Sequence, residues 1–296
     1  MYCMQKKLSR IGMTLIAALL VAGLVTGCGG NAGSGEGGQN GGSEGLSGIL
    51  QVNGSTTVAP VAQAWAEEFN EKHPNVDVIV TGTGSGDGIA ALINGTTEIA
   101  MASREMKDQE RNQINGTPKE LIVGRDGLAV IVHPDNPVNS LSMAQIKDIF
   151  TGKVTNWKDV GGQDAPIIVY TRDTSSGTYG FFKEFVLEKE DYIKSARATA
   201  SNAAMVKSVA GEETAIGYSG LAFLNEGIKG LAVSQEGAEP VAPSMETVKA
   251  GEYPIVRDLI MYTIGEPEGL AKEYLDFGFS SEGQAIVEDV GYLPVK

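Results

Sequence analysis

From Ile49 onward this chain alternates short apolar runs with stretches of helical spacing. That alternation specifies an α/β fold, strands followed by helices that cover a sheet. Ile49-Leu50-Gln51-Val52 reads as a first strand, and Val58, Val61, Ala62, Trp65 and Phe69 mark a helix that ends before Pro74. A second strand spans 76–80, Ile89, Leu92 and Ile93 mark the next helix, and Glu98-Ile99-Ala100-Met101 is a short third strand. Further on come an apolar run at 128–132, a short helix at Ile146, Ile149 and Phe150, a helix at Met205, Val206 and Val209, and a strand at 215–218. The strand at 259–264 and helices around Tyr274-Leu275 and Ile286-Val287 repeat the architecture of the start.

Three strand-to-helix junctions carry one chemical idea. Asn53-Gly54-Ser55-Thr56-Thr57 follows the first strand, and residues 81–88, Thr-Gly-Thr-Gly-Ser-Gly-Asp-Gly, follow the second. The third, Tyr170-Thr171-Arg172-Asp173-Thr174-Ser175-Ser176-Gly177-Thr178, lies between Ile167-Ile168-Val169 and an amphipathic run over 179–190. At such junctions free backbone N–H groups and the positive end of the helix dipole point at one place. Glycines let the backbone approach closely, and Ser or Thr hydroxyls cap or donate. Arg172 adds a planar fork of donors. Each junction alone reads equally as ordinary helix capping. Three together, beyond the carboxyl ends of strands where α/β sheets bind ligands, point to a small tetrahedral anion.

The first residues of the chain are an address and not fold. Lys6, Lys7 and Arg10 precede an apolar stretch over 11–25, and Leu24-Val25-Thr26-Gly27-Cys28 closes it with small residues before a cysteine. The pattern is a lipoprotein signal peptide over 1–27, with Cys28 as the acylated residue. The mature chain then has no cysteine left for a disulfide or a thiolate metal site. Residues 28–47 are rich in glycine, with Ser, Asn, Gln and Glu, and read as a flexible tether. A chain so anchored belongs on the extracytoplasmic face of the cell membrane, and the long tether suggests a single-membrane, Gram-positive-like cell.

Charge excludes one class of partner. The leader holds three of the 23 basic residues and none of the 37 acidic ones, which leaves 20 basic against 37 acidic residues, net −17. A nucleic-acid binder needs a basic footprint. An anion must therefore be held by local dipoles and not by the overall field.

Enzyme motifs fail one by one. Gly82-x-Gly84 meets Asp87 where a dinucleotide fingerprint needs glycine, and no Walker A lysine pattern exists. Ser85 is flanked two residues away by Thr83 and Asp87, and Ser176 by Thr174 and Thr178, so neither is a nucleophile elbow. His73 and His133 each stand beside a proline at an element end, and no clustered histidines suggest metal hydrolysis. No cofactor or metal is expected, and the chain is read as a non-enzyme.

With these residues assembled, the chain resembles the phosphate-binding lipoproteins of bacterial Pst-type ABC importers. The resemblance runs through Gly54-Ser55-Thr56-Thr57, the glycine turn at 81–86 and Ala102-Ser103-Arg104. It continues in Ile149-Phe150-Thr151-Gly152-Lys153-Val154-Thr155-Asn156-Trp157, in residues 172–178 and in Ala215-Ile216-Gly217-Tyr218. It implies a two-lobed periplasmic-binding-protein-like fold of type II, with two hinge strands and a ligand cleft between the lobes. On that pattern lobe 1 is 48–128 plus 260–296, and lobe 2 is 129–259. Ser55, Thr56 and Ser85 would meet phosphate from lobe 1, and Arg172, Ser176, Gly177 and Thr178 from lobe 2. The implied partners are inorganic phosphate, the membrane permease subunits and the cytoplasmic ATPase subunits of a phosphate importer, with the protein itself a monomer. Trp65 and Trp157 are expected to be packing anchors.

One position departs from the pattern. Where the best-known members carry an aspartate that accepts the phosphate proton, this chain has Arg104, which can only donate. Asp87 is the candidate replacement acceptor, and Arg104 a candidate clamp on the anion from lobe 1. Binding of another oxyanion such as sulfate or molybdate, a surface phosphoester hydrolase and a phosphate sensor are the alternatives.

Overall fold

A computed structural model describes residues 45–295. The leader, Cys28 and most of the glycine tract lie outside the described residues. The strands are β1 (Gly48–Gly54), β2 (Val76–Gly82), β3 (Ile99–Ala102), β4 (Pro118–Val132), β5 (Ser140–Ser142), β6 (Ile168–Arg172), β7 (Arg197–Thr199), β8 (Ala215–Gly220), β9 (Lys229–Gly230), β10 (Ala232–Ser234) and β11 (Val256–Ile264). The helices are α1 (Ala59–Lys72), α2 (Ser85–Ile93), α3 (Asp108–Arg111), α4 (Met143–Thr151), α5 (Gly177–Phe181), α6 (Asn202–Ala210), α7 (Met245–Lys249), α8 (Gly269–Phe279) and α9 (Ser281–Asp289).

The main sheet runs β2-β1-β3-β11-β4-β8-β6-β7, with β9 beside β4. Its two halves have separate cores. Leu50, Val52, Trp65, Phe69, Leu259, Tyr274 and Tyr292 share one. Leu128, Ile131, Phe150, Trp157, Met205, Ile216 and Tyr218 share the other. β4 and β11 cross between the halves as an antiparallel pair, with a register shift at Leu259/Ile260 that leaves Val123 of β4 unpaired. These two are the hinge strands. β4 is 15 residues long, and its apolar end, 128–132, has no exposed residue because its half of the sheet is covered on both faces. Its first half, 118–127, is too polar to be read as strand from sequence; pairing with β11 makes it one.

Local chemistry explains the helices that matter. α1 starts with Pro60 in its first turn, where the missing N–H is no loss, and buries Val61, Ala62, Trp65, Ala66 and Phe69 on one face. Trp65 is fully buried, with Nε1 donating to Gly283 O at 2.7 Å, and it packs α1 against α8 and α9. Trp157 anchors the other half, donating to Thr214 O at 2.9 Å. Removing either ring is expected to cost about 3–5 kcal/mol. α4 has a reciprocal capping box between Ser142 and Gln145 and ends on Gly152 at φ 84°.

The amphipathic run over 179–190 is not one helix. α5 passes into a π turn, Phe182–Val186, and the chain leaves through Glu188 and Lys189 at positive φ. The wider turn seats Phe182 on Tyr218, with ring centroids 4.1 Å apart, and against Phe150. Aromatic packing here overrides the helical period.

Candidate anion site between the lobes

β1, β2 and β6 end at the same place. After β1, Gly54 takes φ 139° and lies so close to β3 that a Cβ would sit 2.2 Å from Met101 O. Ser55 follows, buried, its Oγ accepting from the N–H groups of Thr57 (3.1 Å) and Val58 (3.4 Å) and donating to Ser103 Oγ (3.1 Å). Ser85 opens α2 with no exposed surface, and its Oγ accepts from Ser103 N at 3.1 Å. From the other lobe, Ser176 caps α5 by accepting from Tyr179 N at 3.3 Å, and Thr178, two residues on, is buried.

Arg172, at the end of β6, is 1% exposed. Its Nε donates to Thr199 O (3.1 Å), Nη1 to Asn202 Oδ1 (3.2 Å), and Nη2 to Ala200 O (3.0 Å) and across the cleft to Thr56 Oγ1 (3.1 Å). It forms no ion pair among the described residues. Burial pulls its pKa below the ordinary arginine value, with Tyr218 and Asp173 opposing. Asp173 does not neutralise it by contact, because its Oδ1 is taken by Ser175 N, Ser175 Oγ and Ser176 N in its own loop. A buried positive charge held only by neutral acceptors is an electrostatic sink for an anion.

The lobes touch through these groups. Gly86 N donates to Ser175 O at 2.8 Å, Asn202 Nδ2 to Thr57 Oγ1 at 2.9 Å, and Thr57 Oγ1 lies 3.2 Å from Thr178 Oγ1. The structure thus gathers Ser55, Thr56, Ser85, Arg172, Ser176, Gly177 and Thr178 at one interface.

Two expected residues stand apart. Asp87, in the first turn of α2, is exposed, whereas Ser85 two positions earlier is fully buried. A carboxylate there complements the helix dipole. Arg104 is gripped end-on by Glu110 of α3, Nη1 to Oε2 at 2.8 Å and Nη2 to Oε1 at 2.6 Å, with Nη1 also on Glu105 O. It lines a cavity of about 560 Å³ with Phe181, Phe185 and Arg257, beside the hydroxyls and not among them. Its charge is satisfied, so a clamp on the anion from Arg104 is not what this geometry provides.

The model of the PBP superfamily domain matches residues 33–282. The phosphate-binding protein PstS of Bacillus subtilis is 37% identical over 256 residues, covering 85% of this chain and 82% of the relative. The chain belongs to the Pst-type phosphate-binding protein family. PstS of Pseudomonas aeruginosa is 34% identical over 272 residues, with 85% and 84% covered. Among solved structures, a protein of Clostridium perfringens described as a phosphate ABC transporter substrate-binding protein with bound phosphate superposes at TM-score 0.78. It shares 35% identity and covers 84% of this chain and 100% of that one. An ABC-type phosphate transport receptor of Vibrio cholerae gives TM-score 0.69 at 29% identity, over 83% and 100%. The two-lobed periplasmic-binding-protein-like fold expected from the sequence is therefore the fold of this family member.

Sequence reasoning missed Thr57, Ser103, Asn202, Asp126 and Arg257. Asn202 is the first residue of α6, where the local signal is only Ser201 capping Ala204 N at 3.1 Å. Arg257 stands just before the apolar run of β11, and Asp126 just before that of β4, where each looks like a solvated end. Both are buried, 2.8 Å apart, and burial pushes the Asp126 carboxyl up against the opposing pull of Arg257. No helix among the described residues is long and apolar enough to cross a membrane.

Proposed function

We propose that this chain is an extracytoplasmic receptor that captures inorganic phosphate and delivers it to the permease of an ABC importer, without chemistry of its own. The observation that carries this reading is Arg172: a buried guanidinium with no carboxylate partner among the described residues, held by carbonyl and amide oxygens of lobe 2 and reaching the Thr56 hydroxyl of lobe 1. The phosphate-binding names of its relatives and the phosphate in the Clostridium perfringens structure support the same ligand. Ser55, Thr56, Ser85 and Arg172, with Ser176, Gly177 and Thr178, would enclose the anion. Lobe 1 is placed at 48–128 and 260–296 and lobe 2 at 129–259. Binding energy that needs both lobes shifts the open–closed population toward closed. Acylation at Cys28 and the glycine tether would keep the receptor beside its permease.

Isothermal titration of the leaderless chain with phosphate should show one site. No heat with phosphate but strong heat with another oxyanion would overturn the ligand. The second reading, a receptor for another tetrahedral oxyanion, draws on the exposure of Asp87 and the Glu110 grip on Arg104, which leave no expected carboxylate to accept a phosphate proton. A chromogenic phosphoester with added divalent metals should give no turnover.

A further inference from the structure

Asp126 and Arg257 stand directly opposite each other in the β4–β11 register, 1% and 4% exposed. Arg257 Nε and Nη2 both donate to Asp126 Oδ2, at 3.1 and 2.8 Å, while Asp126 Oδ1 accepts from Leu221 N at 3.2 Å. In the next register position the polarity reverses: Arg125 meets Asp258 at 3.1 Å. That outer pair is solvated and contributes little. The inner pair is buried, and a buried pair commonly stabilises no more than apolar residues of the same volume. Hinge stability therefore gives a weak reason for a charged pair here. The remaining donors of Arg257 give a better one.

They reach the hydroxyls of the anion site. Arg257 Nη1 donates to Thr178 Oγ1 at 2.8 Å, and Nη2 reaches Thr57 Oγ1 at 3.4 Å. Thr57 Oγ1 also accepts from Asn202 Nδ2 at 2.9 Å. The Asn202 amide can only lie this way round, because its Oδ1 faces Arg172 Nη1, which has no lone pair to offer. A hydroxyl has two acceptor positions. Both on Thr57 are filled, so Thr57 can only donate, and Thr178 Oγ1 lies 3.2 Å away. Thr178 then accepts from Thr57 and from Arg257, and its own hydrogen is left for the space between the lobes.

We propose that Arg257, clamped by Asp126 on the hinge strands, is a positioning residue that fixes Thr57 as a donor to Thr178 and Thr178 as a donor to the anion, so that Thr178 reads a negative oxygen and cannot accept a proton. This rests on the oxyanion reading of the same site. Without Arg257, Thr178 regains an acceptor position and can take the P–OH hydrogen of hydrogen phosphate. Sulfate has no proton to offer and gains nothing. Arg257 thus weights the site toward fully deprotonated anions.

The test is the phosphate-to-sulfate affinity ratio, measured by calorimetry at one pH and ionic strength. It compares the leaderless chain, Arg257→Lys, and the paired change Asp126→Asn with Arg257→Met, which removes both charges so that neither is left buried alone. Both anions should bind more weakly to the variants, with sulfate losing about three- to tenfold more than phosphate in the paired change, the worth of one hydrogen bond. Arg257→Lys, one ammonium in place of a guanidinium that serves Asp126, Ser103 O, Thr178 and Thr57, should move the ratio the same way by less. A ratio equal to that of the unaltered chain, with only a lower melting temperature, overturns the proposal and leaves a hinge brace. If the paired change does not fold, Arg257→Lys decides on the same criterion. Should the unaltered chain bind neither anion, the phosphate-receptor reading fails and this proposal falls with it; phosphate binding with an unmoved ratio removes this proposal alone.

Discussion

Gly177 of lobe 2 lies so close to Ser85 of lobe 1 that a β-carbon on it would stand 2.2 Å from Ser85 Oγ and 2.7 Å from Ser103 Oγ. The contact is between lobes, so the missing side chain is a condition of closure and not of folding within either lobe. Gly177→Ala should weaken phosphate binding by about 1–3 kcal/mol, the usual range for overpacking. Small-angle scattering at saturating phosphate should report a more open shape, with a melting temperature close to that of the unaltered chain. Unchanged affinity would mean that the lobes close without this approach.

Arg172→Ala should weaken phosphate binding most, by about 2–5 kcal/mol, since it deletes a desolvated charged donor at the centre of the site. Arg172→Lys should recover little of this. One ammonium cannot serve Thr199 O, Ala200 O, Asn202 Oδ1 and Thr56 Oγ1 in the planar arrangement that the guanidinium occupies. Calorimetric titration of both variants checks it, and full binding by the lysine form would contradict the assignment.

Asp87→Asn should leave the phosphate-to-sulfate ratio as it is. The side chain is exposed, and a carboxylate in water next to a helix start interacts weakly with a group enclosed elsewhere. Competition between the two anions decides this, and a shifted ratio would restore Asp87 as a proton acceptor.

Glu110 carries a pH dependence. Burial by itself would raise its carboxyl, but the hydrogen bonds from Arg104 and from Lys107 N outweigh it and hold the pKa below the ordinary 4.5. A carboxyl lowered by folding stabilises the folded form above its unfolded pKa, and the contribution fades as pH falls through the lower, folded value. Glu110→Gln should therefore melt at a lower temperature near neutrality, and the gap should close in acid, as pH falls through the lowered folded pKa. Melting curves across that range test it. A gap that persists in acid would mean that packing, and not charge, is what Glu110 supplies.

Much of the molecule was legible in the chain because its signals are local. Short apolar runs and helical apolar spacing marked β1, α1, β2 and α2, and the glycine-hydroxyl junctions after β1, β2 and β6 pointed to one anion. Arg172 stood out in the sequence because it ends an apolar run and precedes Ser176-Gly177-Thr178 at a strand-to-helix junction. Trp65 fell on the apolar face that helical spacing marks, and Trp157, expected as an anchor, is fully buried as well. Less legible was the run over 179–190, where stacking of Phe182 on Tyr218 across residues far apart in sequence opens the helix into a π turn.

What sequence alone determined is which segments form strands and helices and which ends of strands hold donors, because backbone preference and apolar periodicity act over a few residues. The tertiary structure decided the partners. Arg104 turned to Glu110, Asn202 was brought to Thr57 and Arg172, and Asp126 met Arg257 across a sequence separation of 131 residues. A charged side chain takes whichever buried acceptor is nearest once the strands are in register, and no local spacing records that choice.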